Sequence, residues 1–152
     1  MISKVEITTS TFRHAKELSL TLRENDKLEA QAMGLNPVKG CFDVYRRAIW
    51  RMTGLIDGKV AAMWGIAGNP LGDVGQVYLI TGTEVEKISP LRFARIYKEQ
   101  VEVMKTIFPI LENYVDARYE GAIRLLKIAG FELSGPFEIE PTKALFYKFR
   151  IQ

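Results

Sequence analysis

Val5, Ile7 and Thr9 alternate with polar neighbours, the period-two pattern of a short strand with one face turned to a core. Ser10 or Thr11 follows, and either side-chain oxygen can satisfy a free N–H at the start of a helix. That helix is expected to run to about Asn25, with Leu18 and Leu22 on one face. Asp26 has the form of a second cap, for a short helix Lys27–Met33 that Gly34 closes in the left-handed conformation. Pro37 opens another helix through about Arg47, with Phe42, Tyr45 and Ala48 inward.

The pattern then switches to strands. Trp50–Ile56 and Lys59–Ala67 flank Asp57-Gly58, a strong signal for a two-residue hairpin turn. Gly68–Asp73 has loop composition, and Val74–Thr81 reads as a further strand. Ser89-Pro90 opens the longest helix, because proline fits a first helical turn. Tyr97, Val101, Met104 and Phe108 fall on one stripe of it, and Pro109 stops it. Ile110–Asp116 reads as a buried strand and Tyr119–Ala129 as a helix facing the core through Ala122, Ile123, Leu125, Leu126 and Ala129. Gly130 turns the chain into two last strands, Phe131–Ile139 and Ala144–Ile151.

Strands and helices interleave over 152 residues with no repeat, linker or low-complexity tract, which predicts a single α/β (α+β) domain spanning 1–152. No stretch reaches the length of a membrane span, and Met1–Glu6 lacks the apolar core of a signal peptide. Cys41 is the only cysteine, so an intramolecular disulfide is excluded and a reducing, cytoplasmic setting is expected. His14 is the only histidine, so the usual zinc sets are excluded and no metal is expected. A catalytic triad on His14 has no orienting partner nearby, and a solvated histidine on the first helix is expected instead. The net charge of +3 is a mild basic excess. Neither Arg46, Arg47 and Arg51 nor Arg92, Arg95 and Lys98 forms the dense basic face of a nucleic-acid binder.

The element order resembles the GNAT acetyltransferase fold, and the most specific stretch is Val115–Leu133: a strand end, an apolar-faced helix, then Gly130-Phe131 leading into the next strand. The segment Leu28–Pro37, taken with the helix before Gly130, also resembles small GNAT-like proteins of podovirus-type tailed phages, described as internal-virion or assembly-related. The fold resemblance implies three layers, a central mixed sheet of six to seven strands with helices on both faces, and a cleft between the fourth and fifth strands. It implies acetyl-CoA as cofactor, with the pantetheine arm on the backbone of Ile80, Thr81 and Gly82. The pyrophosphate would lie at the head of the long helix, where N–H groups and the helix dipole favour an anion.

Here the chain departs from the family pattern. Gly82–Leu91 lacks the paired glycines that let backbone approach a phosphate, and Pro90 has no N–H to donate. Glu84 and Glu86 add negative charge, with Lys87 and Arg92 as partial compensation. The tyrosine that protonates the leaving thiolate in many family members falls on Leu126, which has no proton to give. Tyr119 is the displaced candidate acid and Glu84 the candidate base, with Asp116 behind it. Trp50, Trp64, Tyr78, Phe93 and Tyr97 are read chiefly as core.

These features point to a diverged GNAT-fold protein that binds acetyl-CoA weakly. It would act through contacts with a phage or host protein, or with another copy of itself, in the host cytoplasm or the virion. The alternatives are an active N-acyltransferase with an atypical phosphate loop and a nucleic-acid accessory protein. No membrane partner is expected.

Overall fold

The computed structural model describes residues 2–152. Seven strands form one mixed sheet: β1 (Val5–Thr9), β2 (Trp50–Ile56), β3 (Lys59–Ala67), β4 (Val74–Thr81), β5 (Ile110–Asp116), β6 (Glu132–Ile139) and β7 (Ala144–Ile151). Their spatial order is β1-β2-β3-β4-β5-β7-β6, antiparallel throughout except for the β4–β5 pair. The helices are α1 (Phe12–Ser19), α2 (Glu24–Ala32), α3 (Pro37–Arg47), α4 (Pro90–Lys105) and α5 (Glu120–Ile128).

The helices cover both faces of the sheet, as the sequence leads one to expect. On one face α4 and α5 bury Tyr97, Val101, Met104 and Leu126 against Trp64, Ile66, Val77, Leu111 and Val115. The Trp64 indole N–H ties the sheet to α4 by donating to Gln100 Oε1 at 3.1 Å. On the other face Ala15 and Leu18 of α1 and Cys41 of α3 pack on Val60 and Met63. Trp64 and Tyr97 are core residues, and Trp50 and Phe93 lie half-buried beside them.

Local chemistry accounts for most boundaries. Thr11 caps α1 through a reciprocal pair: its hydroxyl accepts from the His14 N–H, and His14 Nδ1 accepts from the Thr11 N–H. Asp57 and Gly58 both take positive φ, 50° and 81°, as a tight hairpin of this type requires. Gly130, at φ 104°, ends α5, while the Phe131 N–H reaches back to the Leu126 carbonyl at 3.0 Å. Phe131 then meets Phe149 edge to face, with ring centroids 5.0 Å apart.

Three boundaries differ from the sequence reading. The first helix ends at Ser19, not near Asn25, because the chain turns there to lay Leu22 beside Gly82 in an antiparallel bridge. The second helix therefore starts at Glu24, and Asp26 does not cap it, since its carboxylate is engaged on β4. The fourth helix ends at Lys105, ahead of Pro109, where the Thr106 hydroxyl donates to the Val103 carbonyl at 2.6 Å.

Candidate functional site

β4 and β5 are paired only at Val74–Gln76 and Ile110–Glu112. Beyond that point β4 continues to Thr81 and β5 to Asp116 without facing each other, so the sheet forks. The first carbonyl exposed by the divergence, that of Val77, is met by Asn113 Nδ2 at 2.6 Å. Such a fork would leave unpaired backbone groups on both inner edges, and buried groups of that kind need partners.

At the end of β4 the partners of Thr81 come from the chain itself. The Thr81 N–H donates to Asp26 Oδ1 at 3.1 Å and its hydroxyl donates to Asp26 Oδ2 at 2.6 Å. The Thr81 carbonyl accepts from the Arg23 N–H at 3.2 Å. One step further, the Thr83 N–H donates to the Thr21 carbonyl at 2.8 Å. On β5 the Asp116 N–H faces Glu29 Oε2 at 3.4 Å. Helix α2 and the turn before it therefore span the fork, attached to β4 through Asp26 and to β5 through Glu29.

Burial sets the electrostatics of this contact. It pushes the Glu29 carboxyl from 4.5 to about 7, helped by Asp26 and Asp116 and opposed by the Asp116 N–H. Burial also raises Asp26, against the stabilising hydrogen bonds from Thr81 and the charge of Arg23. Asp116 is fully buried and held by Arg118 through contacts of 2.7 and 3.0 Å. Tyr119 sits ahead of α5 with its hydroxyl accepting from Arg118 Nη2 at 3.4 Å, and burial raises its pKa.

The residues assigned to a cofactor have other partners here. Thr81 is bonded to Asp26 and Arg23, and Gly82 donates its N–H to the Ala61 carbonyl of β3 at 2.8 Å. Ile80 pairs with Met63 of β3. The expected phosphate loop is a 3-10 turn over Thr83–Lys87, pinned by buried Val85 and Ile88. Lys87 is paired with Glu84, Glu86 lies 3.7 Å from Arg23, and Arg92 donates to the Ser3 carbonyl at 3.1 Å. The head of α4 is capped internally, the Arg92 N–H going to Ser89 Oγ at 3.1 Å. Glu84 and Tyr119 stand on opposite arms of the fork, one after β4 and the other after β5.

A cavity of about 130 Å³ at the base of the fork is lined by Gln76, Glu112, Asn113, Tyr114 and Lys148 among others. That is small against the roughly 300–1,000 Å³ of ordinary ligand pockets. Glu112 is paired there with Lys148 at 3.3 Å and Arg150 at 3.8 Å. Thr81, Gly82, Lys87 and Arg92, the groups expected to meet an acyl-CoA, thus each have a partner within the chain.

No family model matches the chain, and no curated protein matches it in sequence. Solved structures do. An acetyltransferase of the GNAT family from Streptococcus pneumoniae superposes with a TM-score of 0.69 at 16% identity, over 97% of this chain and 98% of that one. Spermidine N-acetyltransferase from Vibrio cholerae, in complex with CoA and spermine, gives 0.71 at 13% identity over 97% and 94%. A putative acetyltransferase from Acinetobacter baylyi gives 0.73 at 11% identity over 100% and 94%. The chain has the GNAT acetyltransferase fold. Identities this low carry the fold alone, so the chemistry must be argued from the fork itself.

Asp26, Glu29 and Asn113 are the site residues the sequence did not reveal. Asp26 was legible only as a helix cap, and Glu29 lies in a segment whose helical period says nothing about which strand it meets. The sequence signal that existed was negative: a phosphate loop without its glycines.

Proposed function

We propose that this chain is a diverged, non-catalytic GNAT-fold protein that acts through protein contacts. The observation that carries the reading is the occupation of Thr81: its N–H and its carbonyl, both on the fork side of β4, are bonded to Asp26 and Arg23. An arm seeking those groups must first displace α2. The 3-10 turn adds a second obstacle, because its cation, Lys87, is paired with Glu84 and the head of α4 is already capped. Each lost charge-assisted hydrogen bond weakens binding by about 1.5–3 kcal/mol, so the loss of two lowers affinity by roughly two to four decades.

The partner in this reading is a phage or host protein, or a second copy of the chain. A role in virion assembly, in the host cytoplasm or the particle, rests on the resemblance of Leu28–Pro37 to small phage proteins. Isothermal titration with acetyl-CoA and with CoA tests the non-catalytic reading. Binding in the high micromolar range or weaker is expected, and a low micromolar dissociation constant overturns it.

A second reading, an active N-acyltransferase, is favoured by one observation. Glu29, pushed up to about 7, lies close enough to Tyr119 to raise that hydroxyl as well, which is a suitable acid–base pairing near one strand end. Acetyl transfer to a polyamine that is abolished in Glu29→Gln would establish it.

A further inference from the structure

We propose that α2 is a strap held across the β4–β5 fork by carboxylates, and that it loosens as Glu29 ionises. The inference does not depend on the non-catalytic reading, because the strap closes the fork whether or not a cofactor ever enters it.

The attachment of α2 is chiefly polar. None of its residues is fully buried: Asp26 and Glu29 are half-buried with their carboxyls turned inward, and Leu28, its large aliphatic side chain, is 37% exposed. What holds it is Asp26 on Thr81, Glu29 on the Asp116 N–H, and the Thr142 hydroxyl on the Ala32 carbonyl at its far end. Gly34, at φ 76°, lets the chain leave α2 directly beneath Pro141. Helices fixed by hydrogen bonds with little apolar burial belong to the low-stability part of a fold, where local opening is favoured.

Burial, and after it the charges of Asp26 and Asp116, makes ionisation of Glu29 unfavourable in the closed state, against the hydrogen bond from the Asp116 N–H. Asp116 faces it from β5, Tyr119 from the head of α5, and Asp26 from α2 itself. Arg118, the cation beside this group, is bound to Asp116, and among the described residues no ion pair includes Glu29. Asp26 is faced by Arg23 and, from α3, by Cys41, whose thiol its charge helps to raise. A carboxyl whose pKa is raised on closing favours the closed form fully below its free value of 4.5, and that contribution is lost as pH rises to about 7. The ceiling on the change in opening is about 300-fold, the full width of that shift.

Native-state hydrogen exchange of the full chain, followed by NMR and corrected for intrinsic exchange, tests the strap. Protection of the Thr81, Arg23 and Asp116 amides is expected to fall at least about tenfold between roughly pH 5 and pH 8. The amides of Met63 and Trp64 in β3 should hold, and Glu29→Gln should flatten the profile. Three results overturn the proposal: pH-independent protection at those three amides, a fall that persists in Glu29→Gln, or a parallel fall at Met63 and Trp64. If Glu29→Gln does not fold, the wild-type contrast between strap and β3 amides decides alone.

Discussion

Asp26 receives both donors that Thr81 can offer on its side of the sheet, the backbone N–H at 3.1 Å and the hydroxyl at 2.6 Å. A residue on a short helix thereby does for β4 what the next strand of a sheet would do. Replacing Thr81 with Val keeps the shape and removes the hydroxyl. Unfolding in urea should show a loss of about 1.5–3 kcal/mol, the usual value of a hydrogen bond to a charged group. A loss below about 0.5 kcal/mol would mean that the hydroxyl bond to Asp26 adds nothing to the hold of the backbone N–H on the strand.

The α5 side of the core is tested at Leu126, which is 5% exposed among Tyr97, Val101 and Phe131. Leu126→Ala should lower stability by about 2–5 kcal/mol in denaturant melts. A cost near zero would show that the helix does not pack this face on the sheet.

Gly75 tests the point where the two parallel strands still touch. A Cβ there would come within 2.6 Å of both Ile66 and Phe108. Gly75→Ala should therefore cost at least about 1–3 kcal/mol by overpacking, with a matching drop in melting temperature. An unchanged melt would indicate that Phe108 moves away freely.

The pH dependence of overall stability carries the sign set by Glu29. A carboxyl raised from 4.5 to about 7 stabilises the fold below the lower value and ceases to do so above the higher one. Thermal melts of the wild type should fall through this interval relative to Glu29→Gln, by up to about 3 kcal/mol in stability. A wild type that gains on the variant as pH rises would reverse the sign and refute the assignment.

The sequence was most legible where a pattern has one structural meaning. The hairpin at Asp57-Gly58, the strand Val74–Thr81 and the strand Ile110–Asp116 have the bounds their alternation and turn residues dictate. Leu126, Ala129 and Phe131 likewise lie in the core, as the α5 stripe requires, while Leu125 is only half-buried. It was least legible around residues 20–32. Leu22 fits the helical period of α1, yet its backbone pairs with Gly82, some sixty residues away in the chain. A capping pattern cannot tell that Asp26 prefers Thr81 to its own helix end, because that preference depends on a strand edge left open by a distant divergence. The same holds for Glu84 and Tyr119, whose separation follows from which arm each one ends.

The Asn113 amide at the base of the fork has a mechanical consequence. Its Nδ2 bonds the Val77 carbonyl and its Oδ1 accepts from the Tyr114 N–H at 2.8 Å, so one side chain ties down both branches where they part. Parallel strands left alone would tend to zip further, each new rung rewarding the last. Asn113 acts as a spreader bar that meets the polar demand of the first missing rung. The gap is thus an inherited shape that needs no guest to keep it open, and α2 is free to leave it without the strands collapsing behind.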